Sequence, residues 1–123
     1  MKILHLIDKG LGLQQTPDGY LESFMWPLDS EEQSAEYVAL HKQKSQRSWK
    51  GGRIVGFREA TEDEIEAGPD TVATKKGRTI VRFEPIREYN GRPGLRWGGS
   101  RKGTMAYKSL EELDEETANE LLN

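Results

Sequence analysis

The chain has 123 residues, of which 34% are hydrophobic and 32% charged, and its net charge is -3. This length fits a single domain over residues 1–123, and the low hydrophobic fraction favours a thin core built on a sheet. The lack of cysteine excludes disulfides, thiolate metal sites and a cysteine nucleophile, and the lack of a long apolar run predicts a cytoplasmic domain with no membrane association.

Apolar runs in the first half of the chain predict four short strands. They lie at residues 2–8, 20–26, 37–41 and 53–59. Gly51-Gly52 predicts a turn before the fourth strand. Two pairs of residues have the spacing of a capping box and predict short helices, Ser30 with Gln33 and Thr61 with Glu64.

The second half of the chain predicts one long strand and a basic loop. Residues 78–88 alternate, with Thr79, Val81 and Phe83 on one face, and Pro85 places this strand at an edge, a bulge or its own end. Residues 90–103 hold five glycines and predict a mobile loop with a brief strand at 95–97.

The end of the chain predicts a last strand at 104–107 and a closing helix. Ser109 and Glu112 form a third capping box, after which an apolar face repeats at helical spacing, through Leu110, Leu113, Thr117 and Leu121. Together these elements predict an α+β fold. We expect a small, partly closed mixed or antiparallel β-barrel of five to six strands, with short helices and a C-terminal helix.

Basic residues are concentrated in two blocks of the sequence. Residues 42–58 contain six Lys or Arg and no acid, and residues 75–108 contain ten with only two acids. If the blocks form a patch, it would attract a polyanion despite the negative net charge. Alternatively, the acidic segments 18–36, 59–70 and 111–120 fold over the blocks and neutralise them.

Two tryptophans lie inside these basic blocks. Trp49 is flanked by Ser48 and Lys50, and Trp97 lies in the glycine-rich loop. Nucleic acid binding combines cations for phosphates with aromatic planes on which bases stack, at ~1–3 kcal/mol per base. The alternative is that both indoles plug the ends of a barrel. Trp26, in an acidic stretch, is expected in the core or at its rim rather than facing a ligand.

The two histidines have different surroundings. His5 lies within the first predicted strand and is expected to be packed and hydrogen-bonded, whereas His41 ends a strand beside the first basic block and is the better functional candidate. Their spacing predicts no metal site, and no cofactor fingerprint is present. The sequence therefore favours a protein that is not an enzyme and has no cofactor. A small hydrolase using His41 with a carboxylate such as Glu22 is the weaker alternative.

Part of the pattern resembles the PUA-like superfamily, in particular its small ASCH and EVE members. The similar segments are Tyr37–His41, the polar loop after it, Gly51–Arg58 and the acidic Thr61–Glu64. The later strand at 79–84 and the basic aromatic loop also fit. The resemblance implies a pseudo-barrel that binds RNA or DNA, with a modified base held in an aromatic pocket, and it implies no catalytic residue.

The leading hypothesis is a small module that binds single-stranded RNA or DNA. Stacking surfaces and phosphate contacts are predicted at Lys42, Lys44, Arg47, Trp49, Lys50, Arg53, Arg92, Arg96, Trp97, Arg101 and Lys102. The last of these belong to the glycine-rich loop, which is expected to close over the ligand as a flap. Pocket residues are predicted at His41, Tyr89 and Tyr107. The alternative is a protein-interaction module, an adaptor or an inhibitor, that uses the acidic segments 18–36 and 110–122 as its surface.

Overall fold

The computed structural model describes residues 1–10, 13–67, 79–85, 94–99 and 107–117, in which seven strands form one mixed sheet. The strands are β1 (Lys2–Ile7), β2 (Leu13–Gln15), β3 (Leu21–Trp26), β4 (Tyr37–His41), β5 (Lys50–Glu59), β6 (Thr79–Pro85) and β7 (Lys108–Glu112). The helical elements are a 3-10 turn (Glu32–Ser34), the helix α1 (Glu62–Ala67) and one helical turn at residues 115–117. None of the helices in these described ranges is long and apolar enough to cross a bilayer.

The strand order across the sheet is β2-β3-β6-β5-β4-β1-β7. β1 and β4 are parallel, with registers from Ile3 opposite Tyr37 to Ile7 opposite His41, and the other pairs are antiparallel. β1 therefore lies inside the sheet, between β4 and the last strand. The predicted α+β class is confirmed in its coarse form, since the fold is mostly sheet with few short helices.

One face of the sheet carries the main core, and we refer to it as the inner face. It consists of alternate residues of β1, β4 and β6 together with Trp26, namely Leu4, Leu6, Val38, Leu40, Val81 and Phe83. The predicted alternation of β6 is confirmed, because Val81 and Phe83 are fully buried in this core. Trp26 is 4% exposed and donates from Nε1 to Ser23 Oγ at 2.9 Å, so its assignment to the core is confirmed.

A hydrogen bond across the core shows that the sheet is strongly curled. Ser23 Oγ of β3 donates to Asp8 Oδ2, just after β1, at 2.7 Å. These strands are four steps apart in the sheet, which would place them about 19 Å apart if the sheet were flat. Among the described residues, however, no strand pairing joins β7 to β2 or β3. The predicted barrel is therefore seen as a curled, open sheet.

The predicted C-terminal helix is wrong over residues 110–112, which belong to β7. Leu110 lies opposite Leu4 and Ser109 lies opposite His5, so pairing with β1 overrides the local capping-box pattern. The helical turn begins only after Asp114, whose Oδ1 accepts from the Thr117 backbone N–H at 2.7 Å. Leu121 lies outside the described residues.

Two smaller predictions also differ from the structure, and one strand was not predicted. Gly51 and Gly52 lie inside β5 rather than in a turn, and β2 was not predicted. Residues 95–97 do not form a strand, and most of the strand predicted at 104–107 lies outside the described residues.

One capping box is confirmed and another is displaced by one residue. Thr61 and Glu64 exchange backbone-to-side-chain hydrogen bonds at 3.0 and 3.2 Å, and α1 follows. The 3-10 turn is capped by Asp29 and Glu32, at 2.8 and 3.0 Å, rather than by Ser30.

Candidate functional site

The candidate site lies on the outer face of β4, β1 and β7, beneath residues 94–99, which we call the covering segment. Leu95 is 7% exposed and belongs to a small core cluster with Ile3, Tyr37 and Ala39. The Leu95 backbone N–H donates to Ser48 Oγ at 2.8 Å, and its carbonyl accepts from the Ser48 N–H at 2.8 Å. This part of the glycine-rich loop is docked on the sheet, so the prediction of a mobile flap is wrong for it.

Two glycines let the covering segment approach this closely. A Cβ at Gly94 would lie 2.6 Å from Ser48 Oγ, and one at Gly98 would lie 2.7 Å from the carboxyl carbon of Glu111. The Gly98 carbonyl also accepts from Ser109 Oγ at 2.6 Å. The glycine pattern therefore reflects close packing of the backbone against Ser48 and β7 as well as loop formation.

Under the covering segment, two histidines and a glutamate form a chain of contacts at hydrogen-bond distance that we call the histidine relay. His41 Nδ1 lies 3.0 Å from the Gln46 carbonyl oxygen, and His41 Nε2 lies 2.8 Å from His5 Nδ1. His5 Nε2 lies 2.9 Å from Glu111 Oε1. Both imidazoles are fully buried, which confirms the prediction for His5. His41, predicted as a pocket residue, uses both ring nitrogens within the relay.

Burial disfavours the charged form of both rings. It lowers the pKa of His41 to about 4, and it lowers the pKa of His5, although Glu111 opposes that shift. His41 is satisfied as a neutral ring, because Nδ1 donates to the Gln46 carbonyl and Nε2 is free to accept. In the described part of the chain, no group of three or more His, Asp or Glu side chains is placed to hold a metal ion.

Acidification from pH 7 to 4.5 is expected to lower the free energy of unfolding by about 2–3 kcal/mol through His41. The pKa of His41 falls from 6.5 in the unfolded chain to about 4 in the fold, so the unfolded state takes up more protons. The stabilisation is complete above pH 6.5 and is lost as the pH falls towards 4. Urea titrations at several pH values would measure this, and His41→Gln should flatten the profile. A flat wild-type profile over this window would contradict the assignment.

Trp97 lies directly on the histidine relay. Its ring centroid is 5.1 Å from that of His41 and 5.6 Å from that of His5, and the indole is half-buried. Lys44 Nζ lies 5.6 Å from the Trp97 ring centroid, within cation–π range. The histidine relay thus positions the Trp97 indole, and the Lys44 ammonium group lies above that ring.

A basic cleft of about 400 Å³ opens beside Trp97. It is lined by Lys44, Ser45, Gln46, Arg47, Arg96 and Trp97. Arg47 Nη1 donates to the Gly94 carbonyl at 3.0 Å, which ties the first basic block to the covering segment. Residues from the two basic blocks, far apart in the sequence, therefore meet in one cleft.

The two interpretations of the basic blocks each hold for a different part of them. Arg58 pairs with Glu22 and Glu64, Arg82 with Asp18, and Lys108 with Glu32. Those cations are neutralised on the strands. A second set of cations takes part in none of the ion pairs within the described ranges: Lys42, Lys44, Arg47, Lys50, Arg53 and Arg96.

Three other residues of the first basic block, Lys42, Trp49 and Lys50, do not line the cleft. Lys42 and Lys50 place their ammonium groups 5.9 and 5.7 Å from the ring of Trp49. That indole is half-buried against the inner-face core and donates from Nε1 to the Asp8 carbonyl at 2.7 Å. It is neither sealed inside nor part of the cleft lining.

Two predicted residues, Arg53 and Tyr107, do not line the cleft. Arg53 lies opposite Tyr37 at the start of β4, whereas the cleft lies beyond the end of β4 at His41. Tyr107 is 45% exposed and does not line the cleft. The other predicted residues, Tyr89, Arg92, Arg101 and Lys102, lie outside the described residues.

The carboxylate that meets the histidines is not the one considered from the sequence. Glu22 accepts two hydrogen bonds from Arg58 at 2.9 and 3.0 Å, and its strand is three steps from β4 in the sheet. Glu111 takes that place because β7 pairs with β1. No local pattern in the sequence indicates this contact, since Glu111 and His5 are 106 positions apart.

The chain was compared with protein-family models, with curated proteins and with solved structures, and none of them matches it. The similarity to PUA-like domains thus stays a prediction, and the functional argument depends on the geometry of the cleft.

Proposed function

We propose that the protein binds single-stranded nucleic acid, RNA or DNA, in the basic cleft. The observation that carries this proposal is the meeting of Lys44, Arg47, Arg96 and the half-buried Trp97 around one cavity. Cations that surround an aromatic plane match the phosphates and the bases of a single strand. A paired base inside a duplex would not present its face to Trp97.

The support for this proposal is electrostatic as well as geometric. Lys44 and Arg96 are exposed, and the ion pairs among the described residues do not include them, so their charge is available to a phosphate. Arg47 is preoriented by the Gly94 carbonyl. The histidines hold the Trp97 ring in place, which reduces the entropy lost when a base stacks on it.

Replacing a cleft cation by an acid is expected to weaken the binding of a short single-stranded oligonucleotide. We expect a loss of about tenfold in affinity for each of two single variants, Lys44→Glu and Arg96→Glu. Three phosphate contacts on a single strand predict a log–log salt slope of about -2 for the wild type, reduced by about 0.7 in each variant. Fluorescence anisotropy of a labelled oligonucleotide, measured at several salt concentrations, would determine both quantities.

Arg53→Glu is the matched control, because it makes the same charge change at an exposed arginine away from the cleft. It should keep the wild-type salt slope and lose less than threefold in affinity. Equal losses in all three variants would point to a general charge effect and would reject the cleft. Binding that does not weaken with added salt would reject the proposal as a whole.

The alternative of a protein-interaction surface made of acidic segments has less support. Asp18, Glu22 and Glu32 are engaged by Arg82, Arg58 and Lys108, so much of the acidic segment 18–36 serves the fold. Residues 110–112 of the second acidic segment belong to β7 and not to an acidic helix.

A further inference from the structure

The histidine relay contains one more hydrogen bond than its neutral rings can supply. The Gln46 carbonyl can only accept, so His41 Nδ1 carries a proton and the neutral ring must accept at Nε2. His5 Nδ1 then donates to His41, which leaves neutral His5 with a bare Nε2. That nitrogen lies 2.9 Å from Glu111 Oε1, and an ionised carboxylate can only accept.

The contact between His5 and Glu111 is consequently a hydrogen bond only when the pair holds one additional proton. Without that proton, a lone pair faces a carboxylate oxygen at hydrogen-bond distance. The proton can reach the pair, because the Glu111 side chain is 27% exposed and lines a second cavity, of about 490 Å³, beside β7.

The same pair supports the wall of the cleft. Trp97 lies on both imidazoles, and Gly98 packs closely against the Glu111 carboxyl group. In the described part of the chain, the groups around His5 are His41 from β4, Glu111 and the cross-strand neighbour Ser109 from β7, and Trp97 from the covering segment. Among the described residues, Lys44 places a fixed charge nearby, above Trp97.

We propose that uptake of one proton between His5 and Glu111 completes the relay and strengthens the binding of a phosphate-bearing single strand in the cleft. The part of this proposal that concerns binding rests on the proposed function. Two effects act in the same direction. The completed hydrogen bond fixes the support of Trp97, and the added positive charge lies near a site for phosphates.

A second proton would have the opposite effect. If His41 were protonated as well, its Nε2–H would face the Nδ1–H of His5 across 2.8 Å. Burial lowers the pKa of His41 to about 4, so this disruption belongs to a lower pH range than the first uptake. Affinity is therefore expected to rise from pH 7.5 to 5.0 and to fall below that range.

The Glu111→Gln variant tests this directly, because its amide can donate to neutral His5 Nε2 and complete the relay without an additional proton. Glu112→Gln is the matched control, since it removes the same charge from the next residue, which lies opposite Lys2 rather than beside His5. The ligand is a labelled single-stranded oligonucleotide with hydroxyl ends, because a terminal phosphate would itself titrate near pH 6.

The wild type and Glu112→Gln are expected to bind about three- to tenfold more tightly at pH 5.0 than at pH 7.5. Glu111→Gln should change less than about twofold and should already bind at pH 7.5 as the wild type does at pH 5.0. A Glu111→Gln variant that kept the wild-type pH profile would overturn the proposal.

Nuclear magnetic resonance separates this proposal from the proposed function. In the free protein, the ring nitrogen signals of His5 and the indole signal of Trp97, assigned with Trp97→Phe, should titrate together between pH 7.5 and 5.0. They should not do so in Glu111→Gln. If no oligonucleotide binds at any pH, the proposed function fails, while this shared titration still supports the proton site. A wild-type spectrum in which His5 does not titrate would overturn the proton site, whether or not nucleic acid binds.

Discussion

Gly52→Ala is expected to lower the free energy of unfolding by about 3 kcal/mol or more, a large part of the 5–15 kcal/mol typical of a domain. Gly52 lies in β5, opposite Pro85 of β6, with Val38 on its other side. A Cβ there would overlap the Glu84 carbonyl oxygen and would lie 2.7 Å from the Glu84 carbonyl carbon. Both neighbours are backbone atoms of a paired strand, so relief would require β5 and β6 to separate.

Gly56→Ala is the matched control within the same strand. A Cβ at Gly56 meets no atom within 4 Å, so this variant should stay within about 1 kcal/mol of the wild type. Thermal unfolding should show a drop of about 10 °C or more for Gly52→Ala and little change for Gly56→Ala. Equal destabilisation by the two variants would mean that general strand propensity, and not the close approach at Gly52, sets the cost.

Arg58→Met is expected to lower the free energy of unfolding by about 3 kcal/mol, because it leaves the Glu22 carboxylate without its ion-pair partner. Glu22 is only 4% exposed and accepts from Arg58 Nε and Nη2 at 2.9 and 3.0 Å. The same guanidinium donates to both oxygens of Glu64 at 2.7 and 2.6 Å. It lowers the pKa of Glu22 and lowers that of Glu64 to about 2.

Urea unfolding at pH 7 would measure this loss, and two comparisons identify its cause. Arg53→Met removes an exposed arginine from the same strand and should cost less than about 0.5 kcal/mol. The double variant Glu22→Gln/Arg58→Met should recover part of the loss, because it removes the stranded charge. A double variant as unstable as Arg58→Met would indicate that lost packing of the arginine stem, and not the buried carboxylate, is responsible.

Features of the fold that depend on residues close together in the sequence were predicted well. β1, β4 and β6 follow from their apolar patterns, and the Thr61–Glu64 capping box gave the start of α1. The helix predicted over residues 110–112 was wrong because the local pattern fits a helix, while the strand that pairs with these residues, β1, lies far away in the sequence. The prediction of a turn at Gly52 was wrong for a related reason. The need for a glycine there comes from the close approach of the Glu84 backbone on the neighbouring strand.

The candidate site could be predicted only in part for the same reason. Composition identified Lys44, Arg47, Arg96 and Trp97, which the fold brings together. It also included Arg53, because the sequence does not show that this residue lies opposite Tyr37, at the end of β4 away from the cleft. The histidine relay depends on strand pairing alone, and therefore no spacing within the sequence indicates it.

The position of β1 has a consequence for how the molecule forms. β1 pairs on one side with β4 and on the other with β7, whose register places His5 beside Ser109. β1 and β7 are far apart in the sequence, and contacts between such distant segments form slowly. We therefore expect folding on the millisecond-to-second scale. During synthesis, the edge of β1 that pairs with β7 stays unpaired until β7 is made, about a hundred residues later. A nascent chain stalled before that point would present β1 to any other extended segment nearby, which makes this strand the place where misassembly would begin.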